Sequence, residues 1–353
     1  MRYGYWLPVF GGWLRNVEDE GMEATWEYVR RLALRSEHIG FDLALIAERT
    51  VNGIKRPEAP ALDAWSTAAA LAAITRRLEL MVAARPALHQ PALFAKQAAN
   101  VDRISGGRLS LQLVADWPEV EAPQYGLPLV PRQERYRQAA EWLEVVDGLW
   151  HRDRYTFSGR YYHTRGAILE PKPVVRPRPP IYAEGQSDEA RQFVAGRCDA
   201  YLMHGDPPER IAVRVDDLTR RREAAGEPPL IFAMTAYTIL RDTEREARDE
   251  LQRITNVKQT SSSYRNYRQW VANAKPDPSE SLEDYAVTHG GLRAGLVGTG
   301  AQLAERIARF ERAGVSLLVL QCSPQIEEMD RFASAIIASD RPAEPDTSWA
   351  TKG

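Results

Sequence analysis

The sequence predicts a closed (β/α)8 barrel with insertions, and two observations lead to it. Eight short apolar runs alternate with longer amphipathic stretches along the chain. Most of these runs are too short for helices and too continuously apolar for half-exposed strands, so buried parallel strands fit best. Eight strand–helix units favour a closed barrel, because the alternative, a doubly wound open sheet, rarely needs eight equal units.

Each apolar run is assigned to one strand, and each amphipathic stretch to one helix. The predicted strands cover residues 3–7, 43–47, 78–83, 109–114, 180–183, 200–204, 231–240 and 316–322. The predicted helices cover residues 25–39, 63–75, 91–104, 132–150, 207–225, 243–256, 301–313 and 325–338. Local signals support these boundaries, since Gly40 suits a C-cap, Asp63 an N-cap and Pro91 a first helical turn.

The chain is longer than a plain barrel requires. Its 353 residues exceed the roughly 250 of that architecture by about 100. We place the excess in three insertions, at about 48–60, 151–179 and 257–292. They belong to a single domain, 1–338, which a tail, 339–353, follows. Strand-like pieces lie at 155–157 and 161–163 in the second insertion. The third is polar and follows the seventh strand on the face where barrels keep their active sites, so it is a candidate lid.

Composition excludes several classes of protein. The chain has 46 basic and 48 acidic residues and 44% hydrophobic residues, which is an ordinary globular balance without the basic excess of a nucleic-acid binder. No segment approaches the roughly 20 apolar residues of a membrane span, and the N-terminus does not resemble a signal peptide. Two distant cysteines, Cys198 and Cys322, form no disulfide framework. We expect a cytoplasmic protein with neither membrane nor nucleic acid as a partner.

Patterns for metal, nucleotide or nucleophile chemistry are weak. The six histidines lack the spacing of a metal pair, so no metal is expected, although a scattered ligand set is an alternative. Residues 295–300 are rich in glycine but lack the G-x-G-x-x-G order, and we interpret Thr299 as a helix N-cap. Cys322 ends the eighth strand and is interpreted as a buried apolar residue, with a nucleophile as the alternative.

One anion-binding pattern stands out after the fifth strand. Gly185 permits close backbone approach, and Ser187 with the free amides of a helix start can hold a phosphate, although Ser-Asp is also an ordinary N-cap. Arg135 and Tyr136 open the helix after the fourth strand, where they suit a phosphate and a planar ligand or a solvated helix surface. Arg85 ends the third strand at the barrel mouth, where burial requires an anionic partner.

Together these residues resemble the bacterial-luciferase-like flavin monooxygenases. The resemblance is strongest to the two-component branch with alkanesulfonate, dimethylsulfone and pyrimidine monooxygenases. It spans almost the whole chain through residues 84–92, 97–108, 134–136, 169–173, 185–187, 201–208 and 296–299. It implies a (β/α)8 barrel, FMN used as FMNH2, O2 as co-substrate, and a separate NAD(P)H:flavin reductase as partner. It also implies a homodimer or homotetramer.

The resemblance implies roles for individual residues. Ser187 would hold the FMN phosphate together with Arg135 and Tyr136, and Glu121 would lie near the isoalloxazine. The remaining cofactor-binding residues by position are Glu48, Arg49 and Gln112, the last standing where relatives have Asn.

Substrate-facing positions depart from the alkanesulfonate branch. Thr235 stands where that branch has an arginine, and His289 stands where its lid has another, so an anionic sulfonate is not expected. A neutral or weakly charged organosulfur or nitrogen compound fits better. Arg85, His204 and His289 are the candidate catalytic residues, for charge stabilisation or proton transfer. The alternatives are a deazaflavin (F420)-dependent oxidoreductase and a non-catalytic flavin-binding barrel.

Overall fold

The computed structural model describes residues 1–15, 17, 19–115, 121–127, 130–175, 177–256 and 286–340, excluding the side chains of Arg132 and residues 288–290. The strands are β1 (Arg2–Trp6), β2 (Leu43–Ile46), β3 (Glu79–Ala84), β4 (Leu109–Leu113), β5 (Tyr155–Ser158), β6 (His163–Ala167), β7 (Ile181–Ala183), β8 (Ala200–Met203), β9 (Ile231–Tyr237), β10 (Ile239–Leu240), β11 (Val297–Gly298) and β12 (Leu317–Gln321). Eight of them close a barrel in the order β1-β12-β9-β8-β7-β4-β3-β2, with parallel pairing throughout, which confirms the predicted fold class.

Helices surround the barrel and lie between its strands. They are α1 (Trp26–His38), α2 (Ala64–Ile74), α3 (Pro91–Ser105), α4 (Glu121–Gln124), α5 (Arg132–His151), α6 (Asp188–Arg197), α7 (Pro208–Ala224), α8 (Glu244–Thr255), α9 (Gly300–Arg312), α10 (Gln325–Phe332) and α11 (Ala338–Asp340). The predicted caps hold: Asp63 accepts from the Ser66 amide at 2.8 Å, and Thr299 forms a capping box with Gln302. No helix within the described ranges has the length and apolarity to cross a membrane.

The barrel forms because its strands are apolar on both faces. All four residues of β2 and all five of β12 are buried, as in parallel strands that pack on the barrel interior and on the helices. Close strand approach needs a glycine in β1, since a Cβ at Gly4 would lie 2.9 Å from Cδ2 of Leu43. Cys198 and Cys322 are free and buried. Burial raises the pKa of the Cys198 thiol to about 12 and that of Cys322 well above its usual value, so both thiols stay protonated.

The predicted seventh strand, 231–240, is wrong at its end. The barrel strand β9 stops at Tyr237, and Thr238 donates its amide to Gln321 O at 2.9 Å. The next residues form β10, which pairs with β11 in a separate two-stranded parallel sheet. The apolar pattern continues through both strands because each is buried, so hydropathy gave no sign of the change of partner.

Two further boundaries differ from the prediction. The second strand-like piece, placed at 161–163, is a turn and the start of β6, because the carboxylate of Glu141 accepts the amides of Arg160 and Tyr161 at 2.8 Å. The predicted tail begins too early at 339. Residue 340 still belongs to α11, and the Tyr3 hydroxyl donates to the Asp340 carboxylate at 2.7 Å. The predicted helix 325–338 is interrupted by a π-helical turn, Ala333–Ile337.

The loops after β1 and β2 are joined at the carboxyl end of the barrel. The Asn52 side chain donates to Phe10 O at 2.8 Å, and the buried carboxylate of Glu20 accepts from the Lys55 ammonium. Leu14 forms an isolated antiparallel bridge with Val287, so the segment that returns from 257–285 meets the same loop. The predicted lid at 257–292 otherwise falls mostly outside the described residues. These contacts join the loop after β2, where Glu48 lies, to the loop after β1.

Candidate active site

A cavity of about 520 Å³ lies at the carboxyl ends of β7 and β8. Barrel enzymes hold their active sites on this face, because the loops that follow the strands converge there. The lining combines strand-end residues with side chains from three helices and includes Ala115, Arg135, Tyr136, Glu184, Gly185, Ser187, Glu189, Tyr201, His204 and Arg214.

The loop between β7 and α6 forms a tight cradle in this cavity. Gly185 has a φ of 134°, and a Cβ there would lie 2.5 Å from the Ala190 Cβ and 2.8 Å from the Tyr136 hydroxyl. Only glycine allows this close approach. Ser187 caps α6 by accepting from the Ala190 amide at 3.2 Å, and the Tyr201 hydroxyl donates to Gly185 O at 2.8 Å. The free amides at the start of α6 therefore face a fixed, concave surface.

Helix α5 brings two predicted residues to the cradle. The Arg135 Nε donates to Val130 O at 3.1 Å, and the Tyr136 ring packs against Phe193 with centroids 5.7 Å apart. Arg135, Tyr136 and Ser187 lie far apart in sequence, yet they line one cavity. The structure thus brings together the three residues expected to hold a phosphate.

Glu48 lies beside Arg85 and His89 at the ends of β2 and β3. Its carboxylate accepts from the Arg85 amide at 3.0 Å and contacts the His89 Nε2 at 2.7 Å. Glu48 is only 7% exposed. Its buried carboxylate therefore fixes the Arg85 backbone and the His89 ring at the barrel mouth.

A second carboxylate, Glu121, is fixed nearby. It is 3% exposed, accepts from the Thr50 hydroxyl at 2.9 Å and faces the Arg49 guanidinium at 3.5 Å. The start of α4 is thereby tied to the loop after β2. Glu121 and Arg49 thus lie together at the barrel mouth, and their role in cofactor binding stays a prediction.

Arg85 is a buried cation among these acids. Burial and the like charge of Arg49 lower its pKa to about 10, and the carboxylates of Glu121, Glu48 and Glu184 oppose that shift. The guanidinium stays protonated at neutral pH because its pKa remains well above 7. The anionic partners that sequence reasoning required for this arginine are side chains of the protein itself.

Glu184 pairs with His204 where β7 and β8 end. The Glu184 carboxylate and the His204 Nε2 are 3.3 Å apart, and their side chains are 26% and 41% exposed. Burial alone would raise the pKa of Glu184. The hydrogen bond and charge of His204, with the charges of Arg85 and Arg49, outweigh it and hold that pKa below its usual value. The carboxylate is therefore ionised at neutral pH.

Comparison with known proteins assigns the chain to a family. The model of the luciferase-like monooxygenase family matches residues 1–317. The chain belongs to this family of monooxygenases. An FMNH(2)-dependent dimethylsulfone monooxygenase of Pseudomonas putida is 31% identical over 346 residues, which cover 96% of this chain and 94% of that protein. The family predicted from sequence is thus confirmed.

Solved structures of family-like barrels show the same fold. DmoA from Hyphomicrobium sulfonivorans superposes with a TM-score of 0.81 at 18% identity and covers 98% of this chain and 89% of its own. An F420-dependent secondary alcohol dehydrogenase superposes with a TM-score of 0.73 at 19% identity, covering 96% and 98%. Both likenesses concern the fold, which hosts more than one chemistry.

The lining of the cavity at the ends of β7 and β8 fits a planar cofactor that carries a phosphate. Ser187, Arg135 and the amides of α6 supply hydrogen-bond donors, while the glycine at 185 leaves room for a ligand to approach the backbone. The Tyr136 ring offers an aromatic surface. This donor set and shape match the phosphate end of a flavin nucleotide.

The lining of this cavity does not include five of the predicted site residues, Glu48, Arg49, Arg85, Gln112 and Glu121. Gln112 lies in the middle of β4, is 2% exposed, and pairs with Ala83 and Tyr182 of the neighbouring strands. His289 belongs to a 3₁₀ helix, Thr288–Ala294, but its side chain lies outside the described residues. The roles of both remain predictions.

Three residues of the site were missed in the sequence. Glu184 directly follows a buried strand, and that position was the available signal. Asp206 and Arg214 were overlooked because their contact depends on the direction in which α7 leaves β8. Four-residue spacing from Asp206 to Arg210 and Arg214 is the sign that a helix brings these arginines to one carboxylate.

Proposed function

We propose that this chain is an FMNH2-dependent monooxygenase that inserts one atom of O2 into a small organosulfur or nitrogen-containing compound. The cavity shared by Arg135, Tyr136 and Ser187 carries the proposal, because it fits a flavin phosphate. The name of the P. putida relative, 31% identical along nearly the full length, supports both the cofactor and an organosulfur substrate. Reduced FMN and O2 are the co-substrates.

The side chains of this protein bind the cofactor and orient it. Ser187 and Arg135 hold the phosphate, and Tyr136 packs beside the ligand. Bound reduced flavin supplies the activation of O2 and the transfer of an oxygen atom. The cofactor site is completed by Glu48, Arg49, Gln112 and Glu121. Of these, Arg49 and Glu121 form an ion pair, and Glu48 contacts His89.

Proton transfer falls to the pair at the ends of β7 and β8. His204 gives or receives a proton at Nδ1, because its Nε2 faces the ionised Glu184 carboxylate, which stabilises the protonated imidazole. Arg85 provides a fixed positive charge at the mouth, and His289 completes the catalytic set.

The substrate is a neutral or weakly charged molecule. The Arg49 guanidinium faces Glu121 at 3.5 Å, and the charges of Glu121, Glu48 and Glu184 act on Arg85. A sulfonate would compete with those acids, whereas a sulfone or a similar neutral group needs only hydrogen-bond donors. Thr235 on β9 is 1% exposed and adds no charge.

We also propose a partner protein and an oligomeric state for the enzyme. A separate NAD(P)H:flavin reductase supplies FMNH2, in keeping with a relative whose name specifies reduced FMN. We further propose a cytoplasmic homodimer or homotetramer with an insertion near 257–292 that covers the site.

The decisive experiment supplies the full chain with FMNH2 from an added reductase, O2, and a panel that includes dimethylsulfone and small alkylamines. Substrate-dependent O2 uptake with an oxygenated product is expected. A second set replaces FMNH2 with reduced F420 and adds small ketones as hydride acceptors, because one structural neighbour is an F420-dependent secondary alcohol dehydrogenase. Hydride transfer from F420 without O2 uptake would refute the oxygenase proposal, and flavin binding without any turnover would favour a non-catalytic barrel.

A further inference from the structure

We propose that Arg214 is an additional phosphate-binding residue of the cofactor cavity and that the buried Asp206 orients it. The inference rests on the proposed use of FMN. We expect Arg214 to make the protein prefer a flavin that carries a phosphomonoester over a flavin that lacks one.

The position of Arg214 is the first observation. It lies on α7, but it lines the same cavity as Ser187 and Arg135, with its side chain 24% exposed. An ion pair of 2.9 Å between Arg191 of α6 and Asp217 of α7 ties the two helices together. Arg214 is thereby kept next to the helix whose N-terminus forms the phosphate cradle.

The arrangement around Asp206 is the second observation. This carboxylate is 1% exposed, and its Oδ2 accepts from Arg214 while its Oδ1 accepts from Arg293 at 3.1 Å. Arg210 approaches the same Oδ1 at 3.8 Å. Three guanidinium groups approach this one carboxylate, and Arg214 is the one that lines the cavity. A planar guanidinium matches the geometry of a phosphate and can bind it through two hydrogen bonds.

Two acidic residues also line the cavity, and neither cancels the charge of Arg214. Glu184 is engaged by His204, as described above. Glu189 is exposed to solvent on α6, where water screens its charge. The arginine side chains of the lining are Arg135 and Arg214, and Arg214 is paired with a buried carboxylate. Because Asp206 is buried, it also fixes the direction of the Arg214 guanidinium before a ligand arrives.

The test compares two flavins that differ only in the phosphate. The full chain and its Arg214→Gln variant are titrated anaerobically with FMNH2 and with reduced riboflavin. We expect Arg214→Gln to weaken FMNH2 binding by about 10- to 100-fold, the range for a lost charged hydrogen bond. Riboflavin affinity should stay unchanged, so the ratio of the two affinities falls.

Arg210→Gln is the matched control. It removes an arginine from the same carboxylate, but its side chain is 58% exposed and is not part of the cavity lining. Its affinity ratio should equal that of the wild type. Asp206→Asn tests the orienting role and should lower the ratio by less than Arg214→Gln does, while Arg214→Lys, which keeps the charge, should recover part of it.

The outcomes separate this inference from the proposed function. An unchanged affinity ratio in Arg214→Gln, or an equal loss for both flavins, overturns the role of Arg214 while leaving the monooxygenase proposal intact. Failure of the wild type to bind either reduced flavin overturns both. An equal effect of Arg210→Gln would show that only the net charge of the cluster acts, which contradicts a specific contact from Arg214.

Discussion

The two ends of the barrel both carry cavities rich in charged residues, but they use those charges differently. At the amino end, a groove of about 1220 Å³ is lined by Glu37 and Arg108, among others. The Arg108 guanidinium donates to Leu78 O at 2.6 Å and to Ala72 O at 3.0 Å, and Glu37 accepts the amides of Arg76 and Leu78 at 2.8 Å. These charges satisfy free backbone groups at the ends of helices and loops.

At the carboxyl end, the cavity has less than half that volume, about 520 Å³. In its lining Glu184 pairs with His204, and at the same end of the barrel Glu48 pairs with His89. Such pairs can rearrange around a ligand at little cost to the fold, whereas a charge bound to backbone groups cannot. Both ends hold side-chain ion pairs, Arg35–Asp330 at the amino end among them, so the difference lies in Arg108 and Glu37, each of which binds several backbone groups.

The largest expected effect is structural and lies at the amino end. Arg108→Met should reduce the free energy of unfolding by about 3–5 kcal/mol, because several carbonyl groups lose a charged donor. Flavin affinity of the folded variant should not change. Urea denaturation and flavin titration measure the two quantities. Arg35→Met is the control, since its exposed ion pair with Asp330 in the same groove should be worth at most about 1 kcal/mol.

A change at the cradle should affect the ligand as well as the fold. Gly185→Ala introduces a Cβ at a φ of 134° and against Ala190. We expect flavin affinity to fall by about 2–4 kcal/mol as the loop shifts to relieve the strain. Gly226→Ala is the control, because Gly226 also has a positive φ but has open space around it. Equal affinities of the two variants would refute the cradle.

Loss of a single donor should have a smaller effect. Ser187→Ala and Arg135→Ala are each expected to weaken FMN binding by about 1–3 kcal/mol in equilibrium titrations. Ser187→Ala should also cost about 1 kcal/mol of stability, because Ser187 caps α6. Thr243→Ala removes a comparable cap from α8, away from the cavity, and should lower stability alone. Unchanged titrations for both cavity variants would place the phosphate elsewhere.

The smallest expected effect is a dependence of stability on pH. The pKa of Glu184 is lowered in the folded chain, so its ionised form stabilises the fold at neutral pH and this contribution disappears as pH falls through that lowered pKa. Glu184→Gln should therefore be less stable than the wild type at pH 7, by less than about 1 kcal/mol, and equally stable in acid.

Thermal unfolding across a pH series measures this difference. Combining Glu184→Gln with His204→Gln gives a double-mutant cycle. If the carboxylate acts through the imidazole, the pH-dependent difference should be absent in the His204→Gln background. Persistence of the difference there would assign it to Arg85 and Arg49 instead.

The apolar pattern predicted the barrel well because each strand is buried on both faces. The same property hid the exchange of partners at Thr238, since β9 and β10 are equally apolar and belong to different sheets. Hydrophobic periodicity reports burial, and it carries no information about which strand lies alongside.

The site was predictable where a local motif brings its own geometry. Ser187 is recognisable in the sequence as the N-cap of a helix that follows a strand. Arg135 and Tyr136 lie at the start of a helix on the same face. The Glu184–His204 pair joins two strand–helix units, and the Arg214–Asp206 contact depends on the angle at which α7 leaves β8. These packing angles cannot be derived from a single sequence.

The hydrogen bond between Tyr3 and Asp340 has a practical consequence for attachment chemistry. It joins β1 and α11, the first and last described elements, on the barrel face opposite the cofactor cavity. A linker attached beside either residue would leave the cavity pointing toward bulk solution. Immobilised on an electrode or a bead through that face, the protein would present its cavity to whatever delivers the reduced flavin.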